Sequence, residues 1–221
     1  MTLGDVFFFV VLPYAAVGQL IPATLYRARK MGSLQEPLAG PLLTGERRAF
    51  ASSAAWIGAM AMALLHLLPL FAPPLWRALI ASQMRLLIVE LLGLAGGVSF
   101  LAGTALLLWR RNRAAASPLT ASLELAALAA IVLSAGAGVV TALTSRWGAA
   151  WYSRALVPYL FSLLKLAPDV TAISALGFWP RLHVACGFVA LALAPFTTLP
   201  GQLRAALHLA PAPRAPAEVA P

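Results

Sequence analysis

The chain has 221 residues, of which 61% are hydrophobic and 10% charged, with a mean hydropathy of +0.85. A soluble domain carries about 25% charged residues, so too few charges are present here to coat a water-facing surface, and the bilayer must be the solvent. The net charge of +9 sits in short Lys and Arg clusters between apolar runs, which explains it by topology and excludes nucleic acid as a partner, while the single Cys186 excludes a disulfide framework or an iron-sulfur cluster within this chain.

A hydrocarbon core of about 30 Å needs roughly 20 helical residues. Five stretches meet that length in chain order: Val6 to Tyr26, Phe50 to Phe71, Leu86 to Trp109, Leu119 to Leu143 and Arg181 to Leu199. The first opens on Asp5 without a basic lead and runs on past Pro13, so it reads as a retained span. Pro13 and Pro22 are tolerable there because neighbouring helices can satisfy the freed carbonyls. Thr144 to Gly177, between the fourth and fifth spans, interleaves Trp147, Trp151, Tyr152, Tyr159 and Phe161 with Arg146, Arg154 and Lys165. It is too polar to span and too aromatic for a free loop, which predicts an amphipathic helix at the outer interface. The expected fold is therefore an all-α integral membrane bundle of five transmembrane helices with that interfacial amphipathic segment. Residues 1–205 form one domain, and the Pro- and Ala-rich 206–221 form a disordered tail.

Basic residues set the expected orientation. Arg27, Arg29, Lys30, Arg47, Arg48, Arg110, Arg111, Arg113, Arg204 and Arg214 fall on one side of the spans. Arg77, Arg85, Arg146, Arg154, Lys165 and Arg181 fall on the other. The richer side is cytoplasmic, which puts the N-terminus outside and the C-terminus inside a bacterial cytoplasmic (inner) membrane.

Two of the three histidines lie inside spans at the same depth: His66 near the outer end of the second and His183 near the start of the fifth. A lone intramembrane histidine is more often a packed one bonded to a carbonyl. A matched pair on different helices, with no carboxylate beside it to suggest a proton relay, fits the axial ligands of a b-type haem. Gly58, Gly93, Gly96, Gly97, Gly136, Gly138 and Gly187 leave room for a flat macrocycle, or equally for ordinary close helix packing. Cys186 shares roughly one face with His183, where a buried thiol is usually a small apolar filler.

Several stretches together carry a resemblance. They are Phe7-Phe8-Phe9 with Pro13-Tyr14, His66 on a Gly58-containing span, Gly96-Gly97, Leu106-Leu107-Leu108 before Arg110-Arg111, and Arg181-Leu182-His183 with Gly187. The chain resembles, over about its whole length, the membrane-anchoring cytochrome b (gamma) subunit of respiratory nitrate reductases. The resemblance implies five helices with an outward N-terminus. It also implies quinol oxidation at the outer side and two stacked haems leading to a cytoplasmic iron-sulfur subunit, with a molybdenum-cofactor subunit beyond. Each haem takes one histidine from the second span and one from the fifth. The outer pair corresponds to His66 and His183, and the inner pair to Trp56 and Gly201, neither of which can ligate iron. Met60 is a conceivable substitute ligand but reads as a packing residue, and His208 as a solvated tail residue. The expectation is one haem b rather than two.

The family's outer quinol site uses a lysine in the third span, where this chain has Arg85 to Glu90 and no lysine. Glu90 is then either a proton acceptor for quinol or half of an ion pair with Arg85. Arg181 is the expected partner of a haem propionate, because its planar fork matches a carboxylate. With no inner haem, electrons would face a long insulating gap toward the cytoplasm, which points to a redox partner on the outer face. The reading is thus a quinone-reactive electron-transfer subunit of an oxidoreductase complex, not its catalytic subunit. Its partners are iron-sulfur and molybdenum-cofactor subunits, quinone and membrane lipid. The alternative is a haem-free membrane anchor or assembly subunit; a small transporter is disfavoured by the lack of an inverted repeat.

Overall fold

The computed structural model describes residues 2–30, 46–111, 118–145 and 148–196. Arg113, Arg146, Trp147, Gly201, Arg204, His208, Arg214 and the tail 206–221 lie outside the described residues. All regular structure among the described residues is helical: α1 Leu3–Val6, a π-helical segment Phe7–Val11, α2 Leu12–Lys30, α3 Glu46–Phe71, α4 Pro73–Leu79, α5 Gln83–Arg111, α6 Pro118–Thr144, α7 Gly148–Leu164, α8 Thr171–Ser174 and α9 Phe178–Leu193, with a 3-10 turn Ala194–Phe196. Five helical stretches are long and apolar enough to cross a membrane: Leu3–Leu25, Ser53–Phe71, Gln83–Trp109, Ser122–Thr144 and Phe178–Phe196. They coincide with the five expected spans, and the fold is an all-α membrane bundle.

The ends differ from expectation by up to one turn, for local reasons. The first helix starts at Leu3 because Thr2 and Asp5 form a reciprocal capping box, Thr2 N donating to Asp5 Oδ2 at 2.9 Å and Asp5 N to Thr2 Oγ1 at 3.2 Å. The last begins at Phe178, not Arg181, with extended Gly177 as its N-cap. Within the first span, Pro13 lacks the N–H that an α-helix would offer to Phe9 O. The turn before it widens to a π-helix, and Tyr159 donates its hydroxyl to Phe9 O at 2.8 Å. Polar Gln19 in the same span is satisfied by Ala192 O, 2.6 Å away on α9.

The helices pack in the order α2, α9, α6, α5, α3, each along the next. The α3–α5 contact is a backbone approach: a Cβ on Gly58 would lie 2.7 Å from Gly96 O and run into the Phe100 backbone, so only glycine fits there. Between α3 and α9 no comparable interface exists.

Residues 148–164 do form an amphipathic helix. Its apolar stripe, Leu156, Tyr159 and Leu163, is buried, whereas Arg154 and Phe161, and Lys165 just past its end, are exposed. That stripe faces the bundle: it joins Phe9, Val170, Ile173 and Val184 in the buried core cluster. α7 therefore closes the end of the bundle that carries His66 and His183.

Candidate functional site

His66 on α3 and His183 on α9 face each other across the gap between those helices, with ring centroids 6.0 Å apart and planes inclined at 45°. Both rings are half-buried. The matched depth read from the sequence is thus a spatial juxtaposition.

Each ring has one nitrogen committed. His66 Nδ1 lies 2.8 Å from Met62 O, one turn back on its own helix. His183 Nδ1 lies 2.8 Å from Ser134 O on α6. A carbonyl can only accept, so Nδ1 carries the proton in both rings and Nε2 keeps its lone pair. An Nδ1–H bonded to a carbonyl is the usual arrangement for an imidazole that ligates metal through Nε2. Ser134 also returns a bond, its Oγ donating to His183 O at 2.9 Å. Gly138, one turn along the same face of α6, makes room for the ring: a Cβ there would stand 2.9 Å from His183 Nδ1 and 3.0 Å from Cε1.

The donor set and spacing discriminate between cofactors. Among the described residues no group of three or more His, Cys, Asp or Glu comes together, whereas a zinc or copper site draws three or four protein ligands. A haem would ask the protein for only two nitrogen ligands and would supply one-electron chemistry. His66 and His183, with ring centroids 6.0 Å apart on two helices that pack sparsely against each other, would hold it.

The other residues singled out from the sequence have different surroundings. Arg181 forms an ion pair with Asp5 and stacks its guanidinium over the Phe9 ring, 5.6 Å from the centroid. Asp5 is 4% exposed, so this pair ties the first helix to the last. Arg85 is exposed and no ion pair joins it to Glu90. Glu90 is half-buried and instead accepts a long hydrogen bond, 3.4 Å, from Ala149 N–H. That N–H belongs to the first turn of α7, where a helix favours negative charge. Trp56 is 37% and Met60 65% exposed on α3. Cys186 is half-buried.

Two features escaped the sequence reading. Tyr152 donates its hydroxyl to His66 O at 2.9 Å, and its ring meets the His66 ring edge-on at 5.4 Å. Its aromatic, interfacial character was legible but its target was not. Glu124, 2% exposed on α6, is an acidic residue within an otherwise apolar span, the same signal that drew attention to Glu90.

A family model described as nitrate reductase gamma subunit matches residues 5–210. No curated protein matches the chain at a significant level.

Proposed function

The chain belongs to the nitrate reductase gamma-subunit family, and from that premise we propose that it is a haem b electron-transfer subunit, anchoring a molybdenum-type oxidoreductase and exchanging electrons with the quinone pool. Membership makes it a membrane-embedded, non-catalytic subunit of an oxidoreductase complex. The haem reading is carried by one observation, the His66–His183 pair at 6.0 Å with both Nδ1 atoms bonded to carbonyls. His66 and His183 would hold one haem b, which supplies reversible one-electron chemistry between a two-electron quinol donor and the partner subunits. The visible spectrum of the purified protein tests this: one low-spin haem per chain is expected, and a colourless protein would leave the haem-free anchor.

The residues at the same end have assignable work. Arg181 would meet a propionate; Asp5 uses part of its fork, but a guanidinium has five donors. Glu90 is proposed to accept a proton from quinol, since oxidation releases two protons with two electrons. Glu90→Gln should then slow turnover with a quinol analogue by on the order of a hundredfold and leave haem content unchanged. Wild-type turnover in that variant would remove Glu90 from the reaction. Arg85, exposed on the same helix, is assigned to the rim of the quinol site.

A single haem also bears on the partner. Trp56, ten residues before His66, lies roughly 15 Å farther along α3, and Gly58 beside it presses against α5. These features support an inner half without a second haem, in a membrane where the N-terminus is outside and the C-terminus inside. The iron-sulfur and molybdenum-cofactor subunits would then dock on the outer face, against the aromatic segment from Trp147 to Lys165 that includes α7. A structure of the complex should find them on the side of His66 and His183. A catalytic module at the opposite end, or a second haem between α3 and α9, would refute the outward docking.

A further inference from the structure

We propose that Tyr152 is a positioning residue for His66, fixing the plane of that imidazole from outside the ligand-bearing helices. The inference rests on the haem reading above and concerns the chain's own hold on one ligand. The two histidines are held differently. His183 is clamped by a neighbouring helix through reciprocal bonds with Ser134, and its ring is backed by Gly138. His66 bonds through Nδ1 only to Met62 O of its own helix, a partner that moves with it.

The backbone around His66 is also weakened. Pro69 lies inside α3 and offers no N–H to Leu65 O, the carbonyl next to that of His66. Tyr152 compensates in two ways at once: its hydroxyl binds His66 O at 2.9 Å, and its ring stands edge-on to the imidazole at 78°. The turn that delivers it is itself anchored, Ser153 Oγ accepting from Trp76 Nε1 at 2.5 Å and Ala149 N–H donating to Glu90.

Ring orientation matters for a physical reason. An imidazole that held iron would donate π density along one direction only, so the planes of the His66 and His183 rings would set the splitting of the iron d orbitals. Low-temperature electron paramagnetic resonance of the oxidised protein reads that splitting directly. The planes stand at 45° to each other here.

The experiment compares the haem ratio and this spectrum in wild type, Tyr152→Phe and Tyr159→Phe. The last is a matched control, since it deletes the same kind of hydroxyl-to-carbonyl bond from the same helix, but at Phe9 O. Tyr152→Phe should keep its haem and shift or split the low-field line, while Tyr159→Phe leaves the line in place. Loss of haem in Tyr152→Phe alone would support the same role more strongly. An unmoved line in Tyr152→Phe, or an equal shift in the control, would overturn the proposal. A wild type without haem would overturn the parent reading as well, so the two failures are distinguishable. If Tyr152→Phe yields no folded protein, Ser153→Ala decides, because it loosens the same turn with Tyr152 intact: a shifted line supports the role and an unmoved one overturns it.

Discussion

Replacing His183 with alanine should abolish the haem absorbance while the protein still inserts, extracts and retains its helical circular dichroism. The bundle does not depend on that side chain for closure, because α9 packs along α6 and α2 over its length and Gln19 and Asp5 tie the first span to α9. The proposed haem would depend on it, since one of its two proposed protein ligands disappears. His66→Ala should behave alike, leaving α3 packed on α5. Full occupancy in either variant would mean that the iron is held elsewhere, and Met60 or His208 would return as candidates.

The second large effect is expected at a residue with no chemistry of its own. Gly138→Ala places a methyl group 2.9 Å from His183 Nδ1, closer than two such atoms can rest. The neighbour that can yield is the imidazole rather than a backbone segment, so the strain is relieved by turning the ring away and the helices stay packed. Turning it breaks the Nδ1–H bond to Ser134 O, 2.8 Å long in the native chain, whose loss costs about 1–3 kcal/mol. Each 1.4 kcal/mol is a factor of ten in affinity, so haem occupancy should fall by on the order of tenfold or more at limiting haem. The apoprotein loses the same bond, so it should melt lower by a few degrees but still insert and extract as a folded bundle. Measured together, haem content and apoprotein folding separate this mechanism from simple overpacking, in which the packing of the helices would itself fail.

Gly138 also marks where the sequence stops being legible. The five spans could be read because length and hydropathy are local properties, and the bilayer imposes one length on all of them. His66 and His183 could be paired because depth along a helix is also local. Thr2 and Asp5 carried a readable capping box, although the first span was expected to begin at Val6. Ser134, Gly138 and Tyr152 could not be assigned, because each acts on a residue of another helix and no spacing rule connects them. Gly138 in particular is indistinguishable in sequence from Gly136, two residues away, whose added Cβ would make only an ordinary contact with Leu101. Arg181 illustrates the same limit: its fork was legible as an anion partner, but Asp5 lies 176 residues away. The amphipathic character of α7 was legible as well. That its apolar stripe would cover the bundle rather than meet lipid headgroups was not, since periodicity identifies a face without naming what the face touches.

The Asp5–Arg181 pair has a consequence for biogenesis. It joins the helix that begins at Leu3 to α9, and Arg181 is made 176 residues after Asp5, so until α9 has been synthesised Asp5 waits without this counter-ion. Both residues that would hold the iron are likewise split between the second span and the fifth. The order of events is thereby imposed by connectivity: the carboxylate is neutralised, α7 is clamped over the end and the imidazoles meet only after α9 has been inserted. A cofactor held by His66 and His183 would enter only once α9 is in place, and a chain arrested before residue 178 would leave Asp5 without Arg181.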